Sequence, residues 1–444
     1  MLPTQDRTSV PPRPQGFRTL WERAKRHPLM HVGPGMITGV ADDDPSGIAT
    51  YSQAGAQFGF GMLWTMPLAF PLMAAVQSMC ASIGRVTGKG LAANIKDSFP
   101  PGILWAAVLL LLVANTLNIA ADVAAMGEVA QLVTGVDRHL MTAVFVFVTL
   151  GLQIFVPYHR YVRILKWLTL SLLAYAAVLF TVHVPWRHVL HETIRPTFTP
   201  NAAAAAVIVG IFGTTISPYL FFWQSSEEVE DMQAGRRGRG SAATPSLLVD
   251  RAAAAPELRR IGWDTWSGML YSNLTAFFII LATAVTLHVA GVTDIETATQ
   301  AAQALRPLAG DFAFHLFALG ILGVGAVGVP VLAGSAAYAI AEALGWPAGL
   351  ESRAADARGF YGVIAVSMIA GLGLGFTSIN PIKALFYSAV INGVVAVPLI
   401  ALILLLAMRP SVLGAHTASR TSLVLGWITV LLMAAASVGM LIPA

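Results

Sequence analysis

Ala41-Asp42-Asp43-Asp44-Pro45-Ser46-Gly47-Ile48-Ala49-Thr50 sets three consecutive carboxylates, a proline and a glycine inside an otherwise apolar run over residues 31–57. A regular helix facing lipid does not accommodate it. Each charge at mid-bilayer costs at least ~2.5–3.5 kcal/mol on insertion scales, and proline removes a backbone donor. Two structures remain. One is a surface loop between two short spans. The other is an unwound stretch inside a helix bundle, with carboxylates and free carbonyls lining a cavity.

A second interruption decides between them. Residues 202–212 are apolar, Gly213-Thr214-Thr215-Ile216-Ser217-Pro218 breaks the run, and Tyr219-Leu220-Phe221-Phe222-Trp223 resumes it. Working outward, the apolar runs predict spans near 31–57, 61–84, 102–131, 140–157, 165–184, 203–229, 264–288, 312–344, 359–377, 381–407 and 421–442. The two breaks therefore fall in the first helices of two consecutive five-helix sets, 31–184 and 203–407, with an eleventh helix at 421–442. Matching breaks in two halves mark an inverted-repeat transporter with its site near the bilayer midplane.

Composition agrees with a membrane protein. Of 444 residues 56% are hydrophobic and only 11% charged, against about 25% charged in soluble domains. The runs are long enough to cross ~30 Å of hydrocarbon at 1.5 Å per residue. With a cytosolic N-terminal tail over 1–30, the outer loops hold only Arg138, Arg187, Arg195, Arg306 and Lys383. The other 22 of the 27 lysines and arginines fall inside. That bias predicts a multi-pass protein of the cell inner membrane, N-terminus cytoplasmic and C-terminus outside. The pI near 9.3 is thereby read as topology, and no nucleic-acid partner is expected.

Residues 1–25 are rich in Pro and Arg without an apolar core, so no cleaved signal peptide is expected. Cys80 stands alone, which excludes an internal disulfide. The Gly/Ala/Ser/Pro/Arg-rich segment 233–260 reads as a flexible cytosolic linker. No GxxxxGK[ST] loop supports ATP-driven transport, and no cluster of catalytic residues points to an enzyme.

The residues around the first break carry a resemblance. Gly33-Pro34-Gly35, then Asp44-Pro45-Ser46-Gly47-Ile48-Ala49-Thr50, then Gln53-Ala54-Gly55-Ala56-Gln57-Phe58-Gly59-Phe60 resemble the first helix of the Nramp divalent-metal transporters. That helix typically reads Asp-Pro-Gly-Asn-Trp-Ala-Thr and then Ala-Gly-Ala-Gln-Phe-Gly-Tyr. Leu63-Trp64, Gly84-Arg85-Val86-Thr87-Gly88 and residues 213–224 continue the match in register. The resemblance covers spans one to ten. It implies an all-α polytopic membrane protein with the leucine-transporter (APC) fold, a 5+5 inverted repeat with about 11 transmembrane helices.

The resemblance also nominates a site. The family takes an Asp and an Asn from helix one, and a backbone carbonyl and a Met sulfur from helix six. The matching positions here are Asp44, Gly47, Thr214 and Ser217. The carboxylate is kept, the amide side chain is gone, and the thioether has become a hydroxyl. Oxygen-only ligation in a roomy site suits a hard cation that keeps several waters, Mg²⁺ or Mn²⁺, and disfavours soft metals. In this respect the chain is similar to the Nramp-related magnesium transporters, which have also replaced that Met.

The family's proton route is altered as well. Its helix-six His is Tyr219 here, a phenol that ordinarily loses its proton only near pH 10. Its helix-three Asp and Glu become Asp122 and Ala125, and the span 359–376 carries no Arg. Transport without obligatory proton coupling is expected. Asn392 lies one position from the family's helix-ten Gln and is an accessory candidate.

Other polar residues stay open at this stage. Asp42 and Asp43 either recruit cations or sit in water at the outer vestibule. Glu227, Glu228 and Glu230 read as a solvated helix end, with an exit lining as the alternative. His288 and His315 read as solvated. The Gly/Ala-rich run 320–339 reads as close helix packing. The expected partners are a divalent cation substrate and the lipid bilayer, with no cofactor; a monomer fits. The competing functions are a carrier of a small amino-acid-like solute, with Gly47 and Ser217 making room for it, and a receptor on the same scaffold.

Overall fold

Proline is tolerated at the first turn of a helix, where its missing N–H has no intrahelical partner and its fixed φ suits the helix. Pro34 and Pro45 use this to start two short helices, Pro34–Asp42 (α1) and Pro45–Phe58 (α2), in a computed structural model that describes residues 33–156, 168–197, 201–239, 246–249, 251–377 and 379–441. The chain leaves the helical region at Asp43 (φ −84°, ψ 59°) and restarts with Asp44 as N-cap. The first expected span is thus one apolar segment broken at the carboxylates. The tail over 1–30 and the basic residues Arg160, Arg163 and Lys166 lie outside the described residues.

The remaining long helices are Thr65–Thr87 (α3), Pro101–Thr134 (α4), Arg138–Phe155 (α5), Ala202–Thr215 (α6), Pro218–Arg239 (α7), Arg251–Thr283 (α8), Ala313–Leu344 (α9), Arg358–Gly375 (α10), Pro381–Ala407 (α11) and Arg420–Met440 (α12). Among the described residues nine stretches are long and apolar enough to cross a membrane, with α6 and the apolar part of α7 counted as one. The broken α1–α2 segment is not among the nine, because neither half is long enough. Among its described residues, the fifth expected span, 165–184, shows a 3₁₀ turn, Leu168–Leu172, and a short helix, Leu173–Val178. Part of the linker expected over 233–260 is helical. Helix α7 runs on to Arg239, and the strong helix formers Ala252–Ala255 let α8 begin at Arg251.

Burial separates the helices into a core and a rim. Phe147, Val148 and Phe155 on α5 are exposed, as are Val424, Leu431 and Val438 on α12; both helices present an apolar surface fit for lipid. The broken helices are inside. Each lies directly against a continuous one through small residues, because close approach replaces the hydrophobic drive that lipid does not supply. A Cβ on Gly35 of α1 would stand 2.7 Å from the Thr265 nitrogen of α8, and Gly39 meets the backbone of Gly268. A Cβ on Gly213 of α6 would stand 2.8 Å from Gly393 Cα of α11. Asp264 of α8 accepts from Gly33 N (3.2 Å) and Gly35 N (2.7 Å), placing a carboxylate at the start of α1 where the orphan amides and the dipole favour it. Gln77 of α3 donates to Leu220 O at 2.8 Å, tying α3 to α7 just after the second break.

Candidate cation site at the two helix breaks

Asp44 caps α2. Its Oδ1 accepts from Gly47 N at 2.9 Å and from Ser46 Oγ at 2.5 Å. Its Oδ2 accepts from Asn118 Nδ2 of α4 at 2.8 Å and lies 3.4 Å from Tyr219 Oη of α7. Donors on α2 and α4 therefore hold a carboxylate that is 1% exposed. None of the ion pairs among the described residues involves Asp42, Asp43 or Asp44. A buried carboxylate with hydrogen bonds but no counter-charge is incomplete as a purely structural feature.

The second break faces the first across Gly47. A Cβ there would stand 3.0 Å from Thr214 Oγ1 and 3.3 Å from Tyr51 Cε2. The Thr214 hydroxyl oxygen is buried and has no hydrogen-bond partner. Ser217 turns back on its own helix: its Oγ lies 2.8 Å from Gly213 O and 2.6 Å from Thr214 O and donates to them. That bond occupies one lone pair of the Thr214 carbonyl, leaving the other lone pair and the oxygen lone pairs of Ser217. Tyr219 Oη donates to Ala41 O at 2.9 Å, clamping the open end of α1 to α7. On the far side, a Cβ on Gly328 of α9 would stand 3.0 Å from Asp44 Cβ. The small residues of α9 thus do more than pack helices; at Gly328 they make room for the carboxylate.

Asp122 lies one turn beyond Asn118 on the same face of α4. It is fully buried, with the Ser46 backbone N–H approaching its carboxylate. Asn392 is buried and unpartnered, beside the Gly393 that packs on Gly213, and it makes no hydrogen bond to the Asp44 group.

Two expectations change. Asp42 and Asp43 are not in a watery vestibule: they are 0% and 1% exposed. The Ser272 hydroxyl of α8 bridges them, hydrogen-bonding Asp42 Oδ2 and donating to Asp43 Oδ1 at 3.0 Å. Glu227, Glu228 and Glu230 are not a solvated helix end either. Glu228 pairs with Arg260 of α8 at 2.8 Å, and Arg260 also reaches Glu257 at 3.1 Å, which Arg85 of α3 approaches at 3.3 Å. Glu230 is held by the Tyr338 hydroxyl and by Leu350 N at 2.7 Å. Residues 235–239 keep α7 helical past these acids, so they face neighbouring helices instead of a loop.

The structure also adds residues that sequence reasoning passed over: Asn118, Tyr51, Ser272 and Gly328. Asn118 carried a readable signal, an amide one turn from an aspartate within an apolar helix. The other three become informative only when the helices are assembled.

Residues 35–443 match the family described as "Natural resistance-associated macrophage protein-like". The chain belongs to the Nramp family. Among curated Nramp relatives, a "Divalent metal cation transporter MntH" of Acidiphilium cryptum is 27% identical over 406 residues, 88% of this chain and 85% of the relative. One of the same name from Klebsiella pneumoniae is 26% identical over 313 residues, 68% of this chain and 69% of the relative. A manganese transporter of Eremococcus coleocola has a TM-score of 0.71 at 17% identity, covering 96% of this chain and 87% of its own. MhsT, solved with L-phenylalanine, has a TM-score of 0.59 at 13% identity over 91% of this chain and 98% of its own. These likenesses establish for this Nramp chain the leucine-transporter fold that the resemblance implied.

Proposed function

We propose that this Nramp protein carries divalent cations across the membrane, binding a hard, hydrated ion, Mg²⁺ or Mn²⁺, at Asp44. The observation that carries the reading is the Asp44 carboxylate, oriented by donors from Gly47, Ser46 and Asn118, buried between two broken helices and lacking a counter-charge among the described residues. The printed names of its relatives, divalent metal cation and manganese transporters, support the same substrate class. Every donor at the two breaks is oxygen: Asp44, the Thr214 carbonyl and hydroxyl, and Ser217, with Gly47 contributing no side chain. Such a set suits hard cations that keep part of their water.

The Lys/Arg bias supports an inner-membrane protein with its N-terminus in the cytoplasm. The transport proposed for it needs no obligatory proton partner, since Tyr219 is committed to the Ala41 carbonyl and Ala125 carries no acid. The membrane potential alone is worth about 2.3 kcal/mol per charge per 100 mV, so a divalent ion gains roughly 4.6 kcal/mol, enough for ~10³-fold accumulation.

The test is uptake into proteoliposomes clamped at a negative inside potential and carrying a pH dye, scanned over Mg²⁺, Mn²⁺, Ca²⁺ and Cd²⁺. Mg²⁺ or Mn²⁺ entry without matching internal acidification is expected. Amino-acid uptake with no metal uptake would overturn the substrate class. Stoichiometric acidification that disappears in Asp122→Asn would overturn the uncoupled mechanism.

A further inference from the structure

Asn118 has one end of its carboxamide occupied and the other end bare. Its Nδ2 donates to Asp44 Oδ2 at 2.8 Å. That contact settles which end is which, because an amide oxygen turned toward a carboxylate would be repelled. The Oδ1 on the same carboxamide is buried, and no donor reaches it. The residue is 0% exposed, on a helix whose polar positions within a turn of it are Asn115, Thr116 and Asp122. A buried acceptor without a donor is costly. This one sits an amide's width from a carboxylate that itself lacks a counter-charge. Around the same carboxylate the Thr214 hydroxyl is also unpartnered, and Gly47 offers no side chain at all.

We propose that Asn118 is a direct ligand of the cation held at Asp44, supplying a neutral oxygen from α4. The proposal rests on reading Asp44 as the cation site and deepens it. The N–H of the amide orients the Asp44 carboxylate while its oxygen completes the ligand set, so one side chain serves both charge and geometry. The bound ion then joins three parts of the bundle: the α1–α2 break, the α6–α7 break and α4. A carboxamide oxygen is a hard donor, matching Mg²⁺, Mn²⁺ or Ca²⁺ and adding nothing for a soft metal.

The experiment is calorimetric titration of purified full-length protein with Mn²⁺ and with Mg²⁺, using wild type, Asn118→Ala, Asn118→Asp and Asp44→Asn. Asn118→Ala is expected to raise Kd about tenfold, the loss of one oxygen ligand. Asn118→Asp keeps an oxygen there but removes the N–H, and it should bind at the wild-type Kd or tighter. If Asn118 only orients Asp44, the ion leaves the side-chain carbonyl band of ¹³C-asparagine-labelled wild type unshifted in infrared difference spectra; that outcome overturns the proposal. A wild-type Kd in Asn118→Ala also overturns it, provided Asp44→Asn has lost binding. If Asp44→Asn binds like wild type, the reading of Asp44 fails instead. Should Asn118→Ala not fold, cation-induced infrared difference spectra of protein labelled with ¹³C at the asparagine side-chain carbonyl decide the matter. A shifted carboxamide band present in wild type and absent in Asn118→Asp is expected, and an identical pair of spectra overturns the ligand role.

Discussion

Two of the buried acidic groups in this bundle are treated differently. At the far end of α7, Glu228 has a side chain with no exposure, yet Arg260 stands 2.8 Å away; Arg260 and Arg85 converge on Glu257. These acids and bases join α3, α7 and α8 and cancel one another. At the first helix break, Asp42, Asp43 and Asp44 are equally buried and have no basic partner among the described residues. They receive hydroxyl, amide and backbone donors instead. Burying a carboxylate demands compensation. Where the protein supplies it, the cluster is a joint between helices. Where the protein withholds it, as at Asp44, the proposed cation would supply it.

The contrast is broken most severely at Asp44. Asp44→Ala removes the charge, the α2 cap and the acceptor of Asn118 together, and proteoliposome uptake of Mg²⁺ and Mn²⁺ is expected to fall to the protein-free background. Retention of the native rate in correctly folded protein would show that the withheld charge is elsewhere. The next largest effect belongs to the paired cluster. Arg260→Gln leaves Glu228 buried without a counter-charge and should cost about 2–3 kcal/mol, at the low end for buried pairs because Arg260 is one-third exposed. Thermal unfolding in detergent reads this as a lower midpoint, and Glu228→Gln in the same protein should restore most of it. A midpoint that does not respond would mean the network holds nothing together.

A smaller change sharpens the comparison on the neutral side of the site. Ser217→Met removes the donor that now occupies the Thr214 carbonyl and puts a polarisable sulfur beside the second break. Cd²⁺ uptake relative to Mg²⁺ is expected to rise about tenfold. An unchanged ratio in the same liposomes would place the 217 side chain away from the ion.

What the sequence disclosed, and what it hid, follows the same physics. The break at Asp44-Pro45 was legible because carboxylates, proline and glycine are intolerable in a lipid-facing helix, and Ser217-Pro218 repeated the signal in the second half. The orientation of each polar side chain was not legible. Asp42 and Asp43 differ from Asp44 only in register, and Ser272, which bridges them, is 229 residues or more away in the chain. Glu227, Glu228 and Glu230 look in sequence like the wet end of a helix. α8 begins early enough to bring Arg260 beside Glu228, while Tyr338 of α9 meets Glu227 and Glu230. Gly328 reads as one more small residue until the helices are assembled and it is found against Asp44 Cβ.

The most direct measurement of the central claim is an anomalous difference map from crystals of the wild type and of Asp44→Asn, each soaked in Mn²⁺. The account predicts one wild-type peak between Asp44 and the Thr214 carbonyl, within about 2.0–2.6 Å of a carboxylate oxygen or one water layer farther out. In Asp44→Asn that peak is absent. A wild-type peak at Asp42, Asp43 and Ser272 with none at Asp44, or a peak at Asp44 that survives the substitution, would contradict it.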